Sequence, residues 1–325
     1  MKIHILSDFK DGPWGGGNQF LKALRNEFLE QNHYEHDPFQ ADVILFNSHH
    51  NLKNVFRLEK KYPGKIFVHR VDGPMSYRGK SGDKLDKQIF RVNSLIADGT
   101  VFQSEWSRRE SYKKGMKINN FEVVIHNAPD PQKFSPPKQK EPIGEKIKLI
   151  ATSWSNNPNK GFDIYHFLDE NLDFEKYEMT FVGNIDKPFK NINVIAPLPS
   201  SELAEQLCQH DIFIFASKIE ACSNSLLEGL HCGLPAVARR LSSNPEVLGV
   251  NGLLFDNFED IIEKINIVSL NLVKFKMNIS LKDITCIAKE FKDFFDMINI
   301  QYKTQKNKKP PISFYDRIRL GGFVL

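Results

Sequence analysis

DIFIFAS at 211–217, followed closely by EACSNSLLEGLHCGLP at 220–235, decides the fold class. The first run is apolar and rich in β-formers, it ends in a polar turn, and a helical pattern follows, so together they read as one βα unit. In open α/β sheets ligands gather at the C-terminal ends of strands, which makes the two acids beyond this strand, Glu220 and Glu228, candidates. A helix starting near Asn224, with that residue as N-cap, leaves Glu220 in the loop and puts Glu228 in the second turn. Both can then face one crevice, with the amides of Ser225 and Leu226 turned toward an anion, and a phosphate-bearing ligand fits. Each acid alone also has an ordinary explanation, because a glutamate near a helix start favours the dipole.

The same alternation extends outward in both directions. Strand-like runs occur at 2–7, 41–47, 65–70, 99–104 and 121–128, then at 146–153, 177–184 and 191–200, and again at 234–239 and 252–255, with helical patterns between them. Such alternation predicts parallel sheets covered by helices. NAPDPQKFSPP at 127–137 is the turn-rich linker expected between two domains. The expected division is 1–135 and 136–300, with a basic and aromatic tail over 301–325 that either packs back across the first domain or touches an anionic membrane surface.

Composition narrows the function. With 325 residues and 41% apolar content the chain can bury two cores. Its 44 basic and 40 acidic residues leave only +4, which suits a nucleotide or an acidic surface and is too small to argue for nucleic acid. The 26 phenylalanines lie among aliphatic runs and read as core. Cys208, Cys222, Cys232 and Cys286 have no paired CxxC spacing and are expected as free thiols. MKIHILSDFK lacks a signal-peptide core, and no apolar run reaches the roughly 20 residues of a membrane span, so a cytoplasmic location is expected.

Several strand ends carry chemistry-bearing residues. Gly15, Gly16 and Gly17 open a helix from Asn18 without forming a GxGxxG fingerprint, and they suit either a flexible turn or an anion-binding loop. His69 suits a hydrogen-bonded strand-edge histidine or a sugar-hydroxyl contact. Asp72, in the long loop VDGPMSYRGKSGD, suits a turn or a ligand contact. Lys160 stands beside a helix start, either as a surface lysine or as a partner for a diphosphate. Gly183 can let a ligand approach the backbone, and Glu246 can be a simple helix cap.

Together these stretches resemble the retaining glycosyltransferases of family 4. The resemblance rests on the two glutamates with seven residues between them, the following Gly233-Leu234-Pro235, Lys160-Gly161, the N-terminal glycine loop, HRVDG at 69–73 and IHNAPD at 125–130, where Ala128 replaces the usual glycine. It implies a GT-B fold: two Rossmann-like domains facing a central cleft, with a C-terminal helical segment packing back on the first. The implied activity is transfer of a sugar from a UDP- or GDP-linked donor to a glycan, lipid-linked or small-molecule acceptor, without a cofactor or an obligatory metal.

The implied catalytic residues are His69, Lys160 and Glu220. The implied donor contacts are Gly16, Gly17, Ser153, Gly183, Leu198 at the base, Ser223, Asn224, Ser225 and Leu226 at the phosphates, and Glu228 at the ribose. Asn18, Asp72 and Asn127 are implied near the acceptor or the sugar. One departure stands out, because Ser155 occupies the place where the family commonly has an arginine. A nucleotide-sugar epimerase of the same broad architecture, or a nucleotide-sugar-binding scaffold, remain the alternative readings.

Overall fold

The computed structural model describes residues 1–10, 16–79, 81–119, 121–138, 144–304, 312–313 and 315–317. Gly15 and most of the tail beyond Thr304, both singled out above, lie outside the described residues. The chain forms two compact α/β units. One comprises Met1–Phe9, Leu21–His126 and Ile284–Leu325, and the other Lys10–Phe20 and Asn127–Asp283. Both are discontinuous in sequence, unlike the contiguous domains expected above.

The first unit is built on β1 (Ile3–Leu6), α1 (Gly16–Glu30, whose residues up to Phe20 fall in the second unit), β2 (Val43–Asn47), α2 (Leu52–Lys61), β3 (Ile66–Val71), α3 (Gly82–Ile96), β4 (Gly99–Phe102), α4 (Glu105–Lys113) and β5 (Glu122–Val124). Its strands form a parallel sheet in the order β1-β2-β3-β4-β5. Ile3 also bridges Tyr34 in parallel, on the edge of β1 that β2 does not occupy. The chain therefore steps outward after β1 and returns to step the other way. Right-handed crossovers then put α1 on one face and α2 to α4 on the other.

The second unit contains β6 (Ile147–Ser153), α5 (Phe162–Asn171), β7 (Tyr177–Gly183), β8 (Asn193–Ile195), α6 (Ser200–Cys208), β9 (Ile212–Phe215), α7 (Asn224–His231), β10 (Ala236–Arg239), α8 (Asn244–Leu248), β11 (Gly252–Phe255), α9 (Phe258–Leu270) and α10 (Leu272–Met277). The parallel order β11-β10-β9-β6-β7-β8 is the doubly wound arrangement. Alternation along the strands feeds two cores. Leu149, Phe181, Ile212, Ile214 and Val237 pack under α5 and α9, whereas Ile150, Val182, Phe213, Phe215 and Ala238 pack under α6 and α7.

After the second unit the chain forms α11 (Ile284–Lys303), which belongs to the first unit. Ile287, Ala288, Phe291, Phe294, Phe295 and Ile298 are buried along one stripe, at the spacing of an amphipathic helix. Gly99 on β4 makes room for it, because a Cβ there would lie 2.5 Å from Ile298 Cδ1. Tyr302 donates to Asp98, while Arg317 and Arg91 pair with Glu59 and Asp316 at 2.8 and 2.9 Å. Among the described residues no helix is long and apolar enough to cross a membrane.

Removing a fully buried ring from α11 tests how much this helix holds the first unit. Phe295→Ala is expected to cost about 3–5 kcal/mol in denaturant unfolding. A loss below about 1 kcal/mol would show that the helix is dispensable to the sheet it covers.

Candidate functional site

In the second unit β6 and β9 are neighbours whose following helices leave on opposite faces, which makes their C-terminal ends the switch point of the sheet. Their pairing runs only from Leu149–Ile212 to Ile150–Phe213, so the chain beyond is free to diverge. Lys160 ends a 3-10 turn at Pro158–Lys160 after β6, and Glu220 lies in the loop after β9. The Lys160 Nζ meets Glu220 Oε1 at 2.6 Å, with the two side chains 31% and 13% exposed.

Local chemistry explains why these loops meet. Gly161 takes φ +82°, and a Cβ there would stand 2.1 Å from the Ala216 carbonyl oxygen, so only glycine lets α5 begin against the end of β9. The Ala216 amide donates to the Tyr165 hydroxyl at 3.2 Å, and Lys218 N donates to the Asn159 carbonyl at 2.8 Å. Burial pushes the Tyr165 phenol well above its ordinary range, so it stays protonated.

The start of α7 differs by one residue from the expected N-cap. Ser223, not Asn224, caps the helix, and its Oγ accepts from Leu226 N at 3.2 Å. Leu226 therefore has no amide to offer an anion. Among the described residues the amides of Asn224 and Ser225 have no acceptor, and these are the donors that the helix start presents. Ser225 Oγ lies 3.2 Å from Ser223 Oγ.

Glu228 follows in the second turn, only 9% exposed and without a partner among the described residues. Its carboxyl is pushed up to about 7 by burial alone.

Several expected contacts turn out to brace this corner. Asn127 is buried; its side chain donates to Asn224 Oδ1 at 3.1 Å and to the Cys222 carbonyl at 3.4 Å. A Cβ on Gly16 would come within 2.7 Å of Asn224 Cβ, whereas Gly17 has open space around it. Asn18 in the first turn of α1 is tied to Lys10, accepting from its amide at 3.1 Å and donating to its carbonyl at 2.9 Å. Gly183 is paired with Ser153 on the neighbouring strand, and at its φ of +139° a Cβ would overlap the Ser153 carbonyl oxygen, so the position requires glycine. Ser153 in turn donates from Oγ to Ser155 O at 2.7 Å, and Leu198 leans on the core beneath α6 and α7.

In the first unit His69 is corrected from a strand-end contact to an interior residue. It sits within β3, fully buried and stacked on Phe46 with ring centroids 4.2 Å apart. Its Nε2 lies 2.9 Å from the Ser48 carbonyl and its Nδ1 3.2 Å from Asn93 Nδ2, so neither ring nitrogen faces solvent. Burial pushes its pKa down to about 4, which leaves a neutral ring. Asp72 lies just past β3, where its Oδ1 accepts from Gln103 and lies 3.5 Å from the buried Arg70 guanidinium.

Sequence reading missed a cluster beside Lys160. Asp163, in the first turn of α5, pairs with Lys218 at 3.1 Å and Arg239 at 3.2 Å. Burial alone would raise its carboxyl, but these two cations outweigh that and hold it below the usual range. Basic groups thus stand near the switch point without one at Ser155, whose Oγ accepts from Asn157 N at 3.1 Å. The partners come from positions up to 76 residues apart, and no local pattern announces them. Among the described residues no group of three or more His, Cys, Asp or Glu could hold a metal ion.

Comparison with known proteins agrees with this architecture. A family profile described as "Glycosyl transferases group 1" matches residues 169–270. The sucrose-phosphate synthase of Thermosynechococcus elongatus superposes with a TM-score of 0.72 at 11% identity, over 92% of this chain and 99% of that one. HepE of Anabaena, solved with UDP-glucose, gives 0.68 at 15% identity over 94% and 100%. An uncharacterized protein of Sulfolobus islandicus rod-shaped virus 1 is 22% identical over 247 residues, or 68% of either chain. Of the next curated relatives the chain spans 45% to 55% of the length. The fold is GT-B, with two Rossmann-like α/β units.

Two measurements check this site. Ionising Glu228 in the folded state is costly, so its penalty is absent below its ordinary value of 4.5, grows as pH rises and is complete above about 7. Glu228→Gln is therefore expected to gain stability over the wild type through that window, by at most about 3 kcal/mol at pH 8, with little gain at pH 4. A pH-independent difference in melting temperature would refute the assignment. Gly16→Ala is expected to lower the melting temperature by displacing Asn224, and Gly17→Ala to leave it unchanged; equal effects would contradict the packing described.

Proposed function

We propose that the protein is a retaining glycosyltransferase that moves a sugar from a UDP- or GDP-linked donor to a glycan, lipid-linked or small-molecule acceptor. The observation that carries this reading is the Lys160–Glu220 pair at the switch point of the second unit. An ammonium is held there on a single carboxylate, while two helix-start amides have no acceptor among the described residues. A diphosphate satisfies all three donors at once. The second unit is accordingly the donor domain and the first the acceptor domain.

Each residue then has a definable task. Lys160 and the amides of Asn224 and Ser225 stabilise the diphosphate as negative charge accumulates on it. Glu220 accepts from hydroxyls of the transferred sugar, Glu228 from the ribose hydroxyls, and Leu198 lies against the base. Asp72 accepts from a hydroxyl of the acceptor. The bond between the anomeric carbon and the diphosphate oxygen breaks, with its electron pair leaving on phosphate. The acceptor oxygen bonds to the same carbon from the departing face, and its proton passes to the leaving phosphate oxygen. Configuration is thereby retained. The likeness to HepE, solved with UDP-glucose, supports a nucleotide sugar as the donor to try first.

Thermal unfolding with UDP-glucose, UDP-N-acetylglucosamine and GDP-mannose, followed by mass detection of transfer to an acceptor panel, tests the reading. The correct donor at 100 times its Kd is expected to add about 2.7 kcal/mol of stability. Lys160→Ala and Glu220→Gln are expected to cut transfer roughly 100-fold while remaining folded. Turnover close to wild type in both folded variants would count decisively against these roles.

A further inference from the structure

Glu220 is held by a turn on the neighbouring strand. After β10 the chain turns through Leu241–Asn244, closed by Asn244 N donating to the Leu241 carbonyl at 3.1 Å. Its first central residue, Ser242, takes φ +51°, a conformation that L side chains avoid and turns of this kind normally give to glycine. The side chain that makes this costly is in use. Ser242 Oγ accepts from Glu220 N at 3.0 Å, and Ser243 N donates to the Glu220 carbonyl at 3.3 Å.

The bracket extends to the flanking residues. Asn244 Nδ2 donates to Ser217 O at 2.8 Å and to Arg239 O at 3.0 Å, joining the loop after β9 to the end of β10. Lys218 N ties the same loop to Asn159, two residues before Gly161. Glu220 is thus fixed at both backbone polar groups from one side, with its carboxylate on Lys160 from the other.

We propose that Ser242 is a positioning residue for Glu220, retained in a left-handed conformation because its hydroxyl sets where the Glu220 carboxylate stands over the transferred sugar. Strain at a functional site persists only where the surroundings over-determine it, and here the hydrogen bond to Glu220 supplies that constraint. Glycine would relax the turn but leave the Glu220 amide without its acceptor. Stability and function should therefore part company at this residue. The inference rests on the glycosyltransferase reading above.

Ser242→Gly and Ser242→Ala, with Glu220→Gln as reference, are compared on the full chain. The readouts are melting temperature, Kd for UDP or GDP, and kcat/KM for nucleotide release from whichever of UDP-glucose, UDP-N-acetylglucosamine and GDP-mannose the wild type consumes. Ser242→Gly is expected to melt no lower than wild type and to keep its nucleotide Kd within about twofold, while kcat/KM falls about tenfold, the worth of one hydrogen bond. Ser242→Ala, which loses the acceptor and keeps the strain, is expected to be as slow and less stable.

Wild-type kcat/KM in Ser242→Gly, with Glu220→Gln impaired, overturns the proposal and leaves the functional reading standing. Parallel losses of melting temperature, nucleotide affinity and rate in Ser242→Gly also overturn it, since they describe a structural residue. No consumption of any donor by the wild type, or an unimpaired Glu220→Gln, removes the functional reading itself and the proposal with it.

Discussion

An ammonium and a carboxylate 2.6 Å apart at the ends of two adjacent strands organise the second unit. Lys160 closes a single 3-10 turn and Glu220 lies in a loop, so the place of each depends on what holds the connections around it. Gly161 admits the helix after Lys160 to the end of β9, Tyr165 takes the Ala216 amide, and the turn after β10 grips the loop carrying Glu220. A single partly exposed pair of this kind is not a large source of folding stability, because screening and the cost of desolvating the more buried carboxylate offset its attraction. Its worth is positional, because it keeps a cation and an anion ready where a doubly wound sheet opens to ligands.

Around that pair the unit carries charge that nearly balances. Asp163 answers Lys218 and Arg239, and Glu220 answers Lys160, so three cations meet two anions before any ligand arrives. The surplus cation and the amides at the start of α7 favour an anionic ligand without leaving bare charge in its absence. Glu228 stands apart, since burial without a partner holds it near neutrality. An incoming hydroxyl can find it as either donor or acceptor, depending on pH.

The alternation of apolar runs made most strands and the fold class legible, and KG together with the paired glutamates located the switch point. Local patterns served less well where long-range packing decides. Ser223 and Asn224 are both good caps, and in the fold Ser223 takes that role while the Asn224 side chain accepts from Asn127. His69 looks like a strand-end residue until the chain beyond it stays in the sheet as far as Val71. The need for glycine at Gly183 comes from its φ of +139° beside the Ser153 carbonyl, which no local pattern announces. The Tyr34 bridge, which gives the first sheet its reversal, is one residue wide and leaves no periodic trace.

The return of α11 to the first unit has a temporal consequence. A chain emerging from a ribosome exposes β1 to β5 long before it exposes residues 284–303, and until then the part of the first unit that α11 buries is open to water. The second unit, apart from Lys10–Phe20, is continuous and can settle first, although it lies later in the sequence. The usual N-terminal-first completion of domains during synthesis is therefore not open to the first unit, whose last helix emerges after the whole of the second. Helix α11 acts as a latch on the earliest strands, and a newly made chain carries the apolar surface it covers until residues 284–303 have emerged.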